Sequence, residues 1–195
     1  TNGQGILPTP AIGGIGLIPD VDLMATIAFK AADDVILLVG GHGTHLGQSI
    51  YLREVLGKEE GAPPPVDLAL EKTNGDFVRG LIRAGHVSAV HDVSDGGLGL
   101  AVIEMAMASG LGASLVLLTH EQLFGEDQAR YVITASPAQA AAITAAAAKA
   151  GVALEQVGTV TAEPTLKIAS GPSISVADLR IAHEGWFPAY MSGEL

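Results

Sequence analysis

Apolar residues gather in short runs that alternate with longer apolar-faced segments along the whole chain. Val35–Val39 (Val-Ile-Leu-Leu-Val) is a continuous apolar run of strand length, and Ala113–Leu118, interrupted only by Ser114, reads as another buried strand. Runs of this length without polar alternation are strands covered on both faces. Tyr131–Ala135 reads as a third strand, with further strands expected at 88–91, 154–160 and 166–169. Between them lie helical patterns at 46–56, 66–84, 98–108, 137–150 and 176–183. The helix after Ser136-Pro137 has the clearest boundaries: a serine N-cap, proline at the first helical position, and Gly151 at the end. The stretch from Leu98 to Ala108 is apolar nearly all round, as a buried helix is. Strands alternating with helices predict an α+β fold, a layered α/β/α sandwich with helices covering a sheet.

The N-terminal stretch is different. Residues 8–18 read Pro-Thr-Pro-Ala-Ile-Gly-Gly-Ile-Gly-Leu-Ile, closed by Pro19-Asp20. Ile12, Ile15, Leu17 and Ile18 are strand-forming, so a strand flanked by turns is expected here. Thr1 is not Met, and the chain is expected to be a segment of a longer polypeptide.

Composition excludes several classes of function. The net charge is −11 with only 10 Lys and Arg, and no basic cluster exists. That argues against a nucleic-acid surface and against a polybasic membrane patch. No apolar run approaches the roughly 20 residues that cross a bilayer. There is no cysteine, which removes disulfides, thiolate nucleophiles and cysteine zinc sites, and is compatible with a reducing cytosol.

Three loops could carry chemistry. The first, His91-Asp92-Val93-Ser94-Asp95-Gly96-Gly97, ends a strand and opens a helix. In one reading its backbone N–H groups and the positive end of the helix face a phosphate. Gly96 and Gly97 then allow close approach, and the carboxylates of Asp92 and Asp95 hold Mg²⁺, which takes hard oxygen ligands. In the other reading Ser94 or Asp95 is an N-cap and the glycines make a tight turn. Short Asp/Gly motifs recur by chance, which favours the capped turn on spacing alone. The second loop, Gly40-Gly-His-Gly-Thr-His-Leu-Gly47, could cradle an anion or simply turn. It lacks the Gly-Lys-Ser/Thr ending of a P-loop, and nothing nearby completes a zinc set around His42 and His45. The third is Leu123-Phe-Gly-Glu126 with Arg130 downstream: Phe124 reads as a core anchor, and Glu126 as a cap or a partner of Arg130. Ser94 beside His91 is no nucleophile, because the surroundings are not Gly-x-Ser-x-Gly and the carboxylates oppose its ionisation.

Four segments together resemble a known family: Pro8-Thr-Pro-Ala-Ile-Gly-Gly-Ile-Gly-Leu-Ile, His91-Asp-Val-Ser-Asp-Gly-Gly-Leu98, Leu123-Phe-Gly-Glu126 and Ala182-His-Glu-Gly-Trp-Phe-Pro-Ala-Tyr-Met191. They occur in this order in the large (synthetase) subunit of phosphoribosylformylglycinamidine synthase, of the small bacterial type. Leu46-Gly-Gln-Ser-Ile-Tyr-Leu52 is similar to that family's Leu-Gly-Gly-Ser-Glu-Tyr-Leu, with Gln48 and Ile50 in place of Gly and Glu. The resemblance covers essentially the whole chain. It implies a C-terminal domain like that of the aminoimidazole ribonucleotide synthetase superfamily over residues 20–195, preceded at 1–19 by the last strand of an N-terminal-type domain. The implied activity is ATP- and Mg²⁺-dependent: formylglycinamide ribonucleotide and glutamine-derived ammonia give the amidine, in purine biosynthesis. An amide oxygen is activated by phosphoryl transfer and displaced by ammonia. A glutaminase subunit, a small third subunit and the remainder of the same chain are the implied partners, in the cytoplasm. The family's catalytic His and main substrate contacts lie upstream of Thr1, so no catalytic residue is expected within this chain, and the chain alone is expected to be inactive. Asp92 corresponds to a Mg²⁺ contact of a second nucleotide site, with Asp95, Gly96 and Gly97 beside it. A non-catalytic scaffold holding a structural nucleotide is the alternative, as is a related ATP-dependent synthetase.

Overall fold

The computed structural model describes residue 3, residues 11–169 and residues 171–194. The strands are β1 (Val35–Val39), β2 (Ala89–Asp92), β3 (Gly112–Leu115), β4 (Tyr131–Ala135), β5 (Leu154–Thr161), β6 (Thr165–Ile168) and β7 (Ser173–Ser175). The helices are α1 (Ile50–Leu56), α2 (Leu68–Arg83), α3 (Gly97–Ser109), α4 (His120–Phe124), α5 (Pro137–Ala150) and α6 (Val176–Ser192), with a 3₁₀ turn at Val21–Leu23. One mixed sheet runs β2-β4-β1-β5-β3-β6-β7. Neighbours are antiparallel except β3 and β6, which run parallel.

β1 shows why its sequence is apolar without alternation. Ile36 and Leu38 point into one core with α3, Leu123 of α4 and Val176 of α6. Val35, Leu37 and Val39 point into a second core with Val78 and Leu81 of α2 and Ile143 and Ala147 of α5. Successive strand side chains alternate between faces, so a sheet covered on both faces needs apolar residues at every position. Each fully buried Ile or Leu contributes about 1.5–3 kcal/mol. The expected α/β/α sandwich is therefore the observed fold. α3 supplies the centre of the first core through Leu98, Val102 and Met105, all fully buried.

α5 has the predicted boundaries. Ser136 accepts from the N–H of Gln139, Pro137 is the first helical residue, and Gly151 closes the helix at φ 68°. Among the described residues, no helix is long and apolar enough to cross a membrane.

Several expectations are corrected. Residues 11–18 form no strand: Ile12, Ile15 and Leu17 are 90%, 103% and 96% exposed. A strand needs a neighbour to receive its backbone groups, and three glycines weaken this one further. Residues 8–10 of that expected strand lie outside the described residues. The first helix begins at Ile50, not Leu46, because Gln48 turns to φ 59° and Ser49 caps the helix by accepting from Leu52 N–H at 3.2 Å. β3 ends at Leu115, because Val116 and Leu117 turn outward to solvent. α6 extends past the expected end at His183, through Pro188 to Ser192, and Gly193 caps it. Its last two turns project from the body with Trp186 stacked on Tyr190. α4 and β7 were not anticipated. α4 carries a capping box, Thr119 with Gln122, whose Thr-x-x-Gln signal stands in the sequence.

Candidate functional site

β2 ends at Asp92 and α3 begins at Gly97, so residues 93–96 are a tight connection between sheet and helix. Asp92 is an exposed carboxylate at the mouth of a small cleft of about 210 Å³, with Glu71, Ser94, Gln128 and Tyr131 among its walls. Glu71 is already committed there: its Oε1 accepts from the N–H of Ala129 at 2.9 Å. Burial, followed by the charges of Glu71 and Asp92, raises the pKa of the Tyr131 phenol. The cleft wall thus carries two carboxylates, Glu71 and Asp92, with the Arg130 guanidinium lining it as well.

Asp95 faces elsewhere. It lines a second cleft of about 340 Å³ with Gln48, Arg53, Lys58 and Glu126. The two carboxylates of the motif thus serve different depressions of the surface. His91, at the end of β2, has both ring nitrogens occupied: Nε2 lies 2.8 Å from Glu104 Oε2 and Nδ1 lies 2.7 Å from the carbonyl of Asp92. It is held as part of the β2–α3 contact and is not poised as a free base.

Gly96 and Gly97 are buried, at φ 75° and 67°. The N–H of Gly96 donates to Glu126 Oε1 at 2.8 Å, and that of Gly97 to the carbonyl of Ser94 at 3.0 Å. Two of the amides that a phosphate cradle would have used therefore already have protein acceptors. A Cβ on Gly97 would stand 2.7 Å from the carbonyl oxygens of both Leu123 and Gly125. Glycine is required there by the close passage of the α4 turn. Neither Ser94 nor Asp95 is the N-cap: Gly96 holds that position with no side-chain cap of its own, and Glu126, from a distant segment, accepts the N–H of Gly96 itself.

The same economy governs Gly40–Gly47. Asp127 accepts from Thr44 N–H at 2.8 Å, His45 N–H at 3.0 Å and the Thr44 hydroxyl at 2.9 Å. Burial opposes ionisation of Asp127, but the Thr44 and His45 donors outweigh it and hold its carboxyl below the usual range. Hydrogen bonds to a charged form stabilise that form. His42 pairs with Glu155 at 2.7 Å, while His45 Nε2 reaches the carbonyl of Ala62 at 2.6 Å, so the two imidazoles do not converge. Among the described residues, no group of three or more His, Asp or Glu side chains is arranged to hold a metal.

At the third loop, Phe124 packs against the first core and stacks on Tyr51 at 4.8 Å. Glu126 caps, as one of its two expected roles had it, but it does not pair with Arg130. The Arg130 guanidinium donates to the carbonyls of Asp127 (2.9 Å) and Gly125. Burial lowers the pKa of Arg130, with Asp127 and Glu126 acting against the shift. Arg130 is thus a buried strut under the loop. Asp127 and Glu71 escaped notice in the sequence, since Asp127 is one more acid after Leu-Phe-Gly-Glu and Glu71 one acid within a helical pattern, and neither carries a spacing signal.

The donor set suits Mg²⁺ only at an edge. Mg²⁺ keeps several waters and is held by one or two carboxylates plus phosphate oxygens. Asp92 is exposed and lines a cleft that also holds Glu71 and Arg130, so one free carboxylate stands there for such an ion.

The chain is 54% identical over 199 residues to phosphoribosylformylglycinamidine synthase subunit PurL of Rhodopseudomonas palustris, and 56% identical over 198 residues to that of Brucella ovis. In each case all of the chain is covered but only 27% of the relative's length. Among solved structures, T. maritima PurL complexed with FGAR shares the fold at TM-score 0.71 and 21% identity, over 82% of this chain and 30% of that one. E. coli HypE, a hydrogenase maturation protein, matches at TM-score 0.57 and 22% identity, over 77% of this chain and 51% of that one. At such identities the likeness is one of fold. The family described as AIR synthase related protein, C-terminal domain, matches residues 31–170, which is most of the sandwich, and the chain belongs to that family.

Proposed function

We propose that this chain is the C-terminal part of the synthetase subunit of phosphoribosylformylglycinamidine synthase, the ATP-dependent ligase that converts formylglycinamide ribonucleotide and ammonia to the amidine. The observation that carries this reading is identity above half, sustained over the whole chain, to subunits of that name. Because the chain spans about a quarter of their length, the activity is assigned to the longer polypeptide and not to these residues alone. Residues 1–19 belong, in this reading, to a preceding N-terminal-type domain, and residues 20–195 to the C-terminal one. The exposed Ile12, Ile15 and Leu17 support that division, because apolar strand residues left in solvent are those that a neighbouring sheet would cover.

The site residues take limited roles. Asp92 is the carboxylate that meets Mg²⁺ at the edge of a nucleotide site, and Asp95 is its neighbour across the turn. Gly96 and Gly97 shape the turn without offering free amides. Bound Mg²⁺ would neutralise phosphate charge, and this chain's residues would hold and orient the complex. Solved structures of T. maritima PurL with ATP and ADP support a nucleotide ligand, and one of PurLQS supports assembly with further subunits. A glutaminase subunit and a small third subunit are the partners proposed here, and the cytoplasm the location. The occupied amides of Gly96 and Gly97 favour a second reading, a scaffold lobe with a structural nucleotide.

The experiment is a comparison of the full-length subunit with the 195-residue chain, each supplied with partners, Mg·ATP, ammonia and formylglycinamide ribonucleotide. Amidine is expected from the first only, and turnover by the short chain would refute the placement. In the full-length subunit, Asp92→Ala is expected to weaken Mg·nucleotide binding about tenfold or more, as loss of a charged contact does. Unchanged affinity in calorimetry would remove Asp92 from the metal site.

A further inference from the structure

One oxygen of Glu126 serves two segments. It accepts the N–H of Ile50, the first residue of α1, at 2.9 Å and the N–H of Gly96 at 2.8 Å. A charged acceptor shared by two backbone donors is strong and directional, and it suits the positive end of a helix. It also sets the spacing between the two segments that it joins.

The Asp95–Gly96 turn needs such an external anchor. Gly96 stands at φ 75° and has no side chain to cap its own helix, and Asp95 is exposed. Asp95 and Glu126 line the same cleft, together with Arg53, Lys58 and Glu59. The next residue, Asp127, clamps a different segment, Thr44 and His45. Two adjacent carboxylates thus anchor two different loops, and only one of them touches the turn that carries Asp95.

We propose that Glu126 is a positioning residue for ligand binding: by tying Gly96 to the start of α1 it fixes the turn that directs Asp95 into the cleft, and it acts on nucleotide affinity through Asp95. This inference rests on the reading of Asp92–Gly97 as the edge of a nucleotide site, one that reaches both clefts flanking the turn, that of Asp92 and that of Asp95.

The test is Mg·ATP titration of the full-length polypeptide by calorimetry, with thermal melting of each variant alongside. Glu126→Ala is expected to weaken binding about tenfold, the size of a coupling between groups in contact. Glu126→Gln, which keeps an acceptor oxygen, is expected to recover most of that loss. In the double variant with Asp95→Asn, Glu126→Ala is expected to add less than about twofold, since its effect passes through Asp95. Asp127→Asn is expected to lower the melting temperature while leaving affinity within about twofold, which separates loop anchoring from positioning. If Glu126→Ala does not fold, Glu126→Asp shortens the reach to Gly96 and carries the same expectation. Fully additive losses, or a folded Glu126 variant with wild-type affinity, would overturn the inference alone. Affinity that neither Asp92→Asn nor Asp95→Asn alters would overturn the functional reading and the inference with it.

Discussion

Replacing Gly97 by alanine tests the claim that this glycine exists for packing. Its backbone is left-handed at φ 67°, which costs a non-glycine residue about 1–2 kcal/mol. The new Cβ would also stand 2.7 Å from the carbonyl oxygens of Leu123 and Gly125 and 2.8 Å from the carbonyl carbon of Phe124. Those atoms are backbone, so relief requires α4 and its turn to move away from α3. Forced overpacking of this kind costs about 1–3 kcal/mol more. The total expected for Gly97→Ala is therefore about 2–5 kcal/mol. Gly110→Ala, at the other end of the same helix, is the internal reference. Gly110 is equally left-handed at φ 76° but has no heavy atom within 4 Å of its Cβ position, so only the backbone cost applies. Gly→Ala effects on the unfolded chain are common to both variants and cancel in the difference. Urea unfolding followed by far-UV circular dichroism gives both values, with the denaturant slope expected to be unchanged. Gly97→Ala should exceed Gly110→Ala by about 1–3 kcal/mol. Equal losses, within about 0.5 kcal/mol, would refute the packing argument and return Gly97 to the ligand-approach reading.

Other outcomes follow from the same contacts. Because the folded pKa of Asp127 lies below its ordinary value of 3.8, its contribution is fully present above that value and is lost as pH falls through the folded value. Asp127→Asn should therefore flatten the acid limb of the stability–pH curve below about pH 4, and should speed hydrogen exchange at Thr44 and His45; parallel acid limbs would count against the clamp. Ser136→Ala removes the acceptor for Gln139 N–H and should cost about 1 kcal/mol in urea unfolding.

Much of the fold was legible before any coordinates. β1, β4 and α5 were placed from local signals: an unbroken apolar run for β1, a short run interrupted only by Thr134 for β4, and Ser-Pro with a closing Gly for the helix. These signals are contained within a few residues, and the rest of the chain only ratifies them. α6 was expected to end at His183, yet the helix passes through Gly185 and Pro188 to Ser192. Residues 11–18 erred in the opposite direction, because strand-forming side chains make a strand only beside a partner.

The candidate site divides along the same line. From the sequence alone came the alternation that forces a two-faced sheet, the acid balance that argues against nucleic acid, and the His91–Gly97 segment as a mark of family. What that segment does with its backbone was decided by tertiary structure. Glu126 reaches back 30 residues to Gly96 and 76 to Ile50, and Asp127 reaches 83 to Thr44. Those bonds occupy amides of Thr44, Ile50 and Gly96 that a strand–glycine–helix pattern would otherwise offer a phosphate. Spacing along a chain shows which donors are free of local partners, but only the packed fold determines which distant acceptors arrive to meet them.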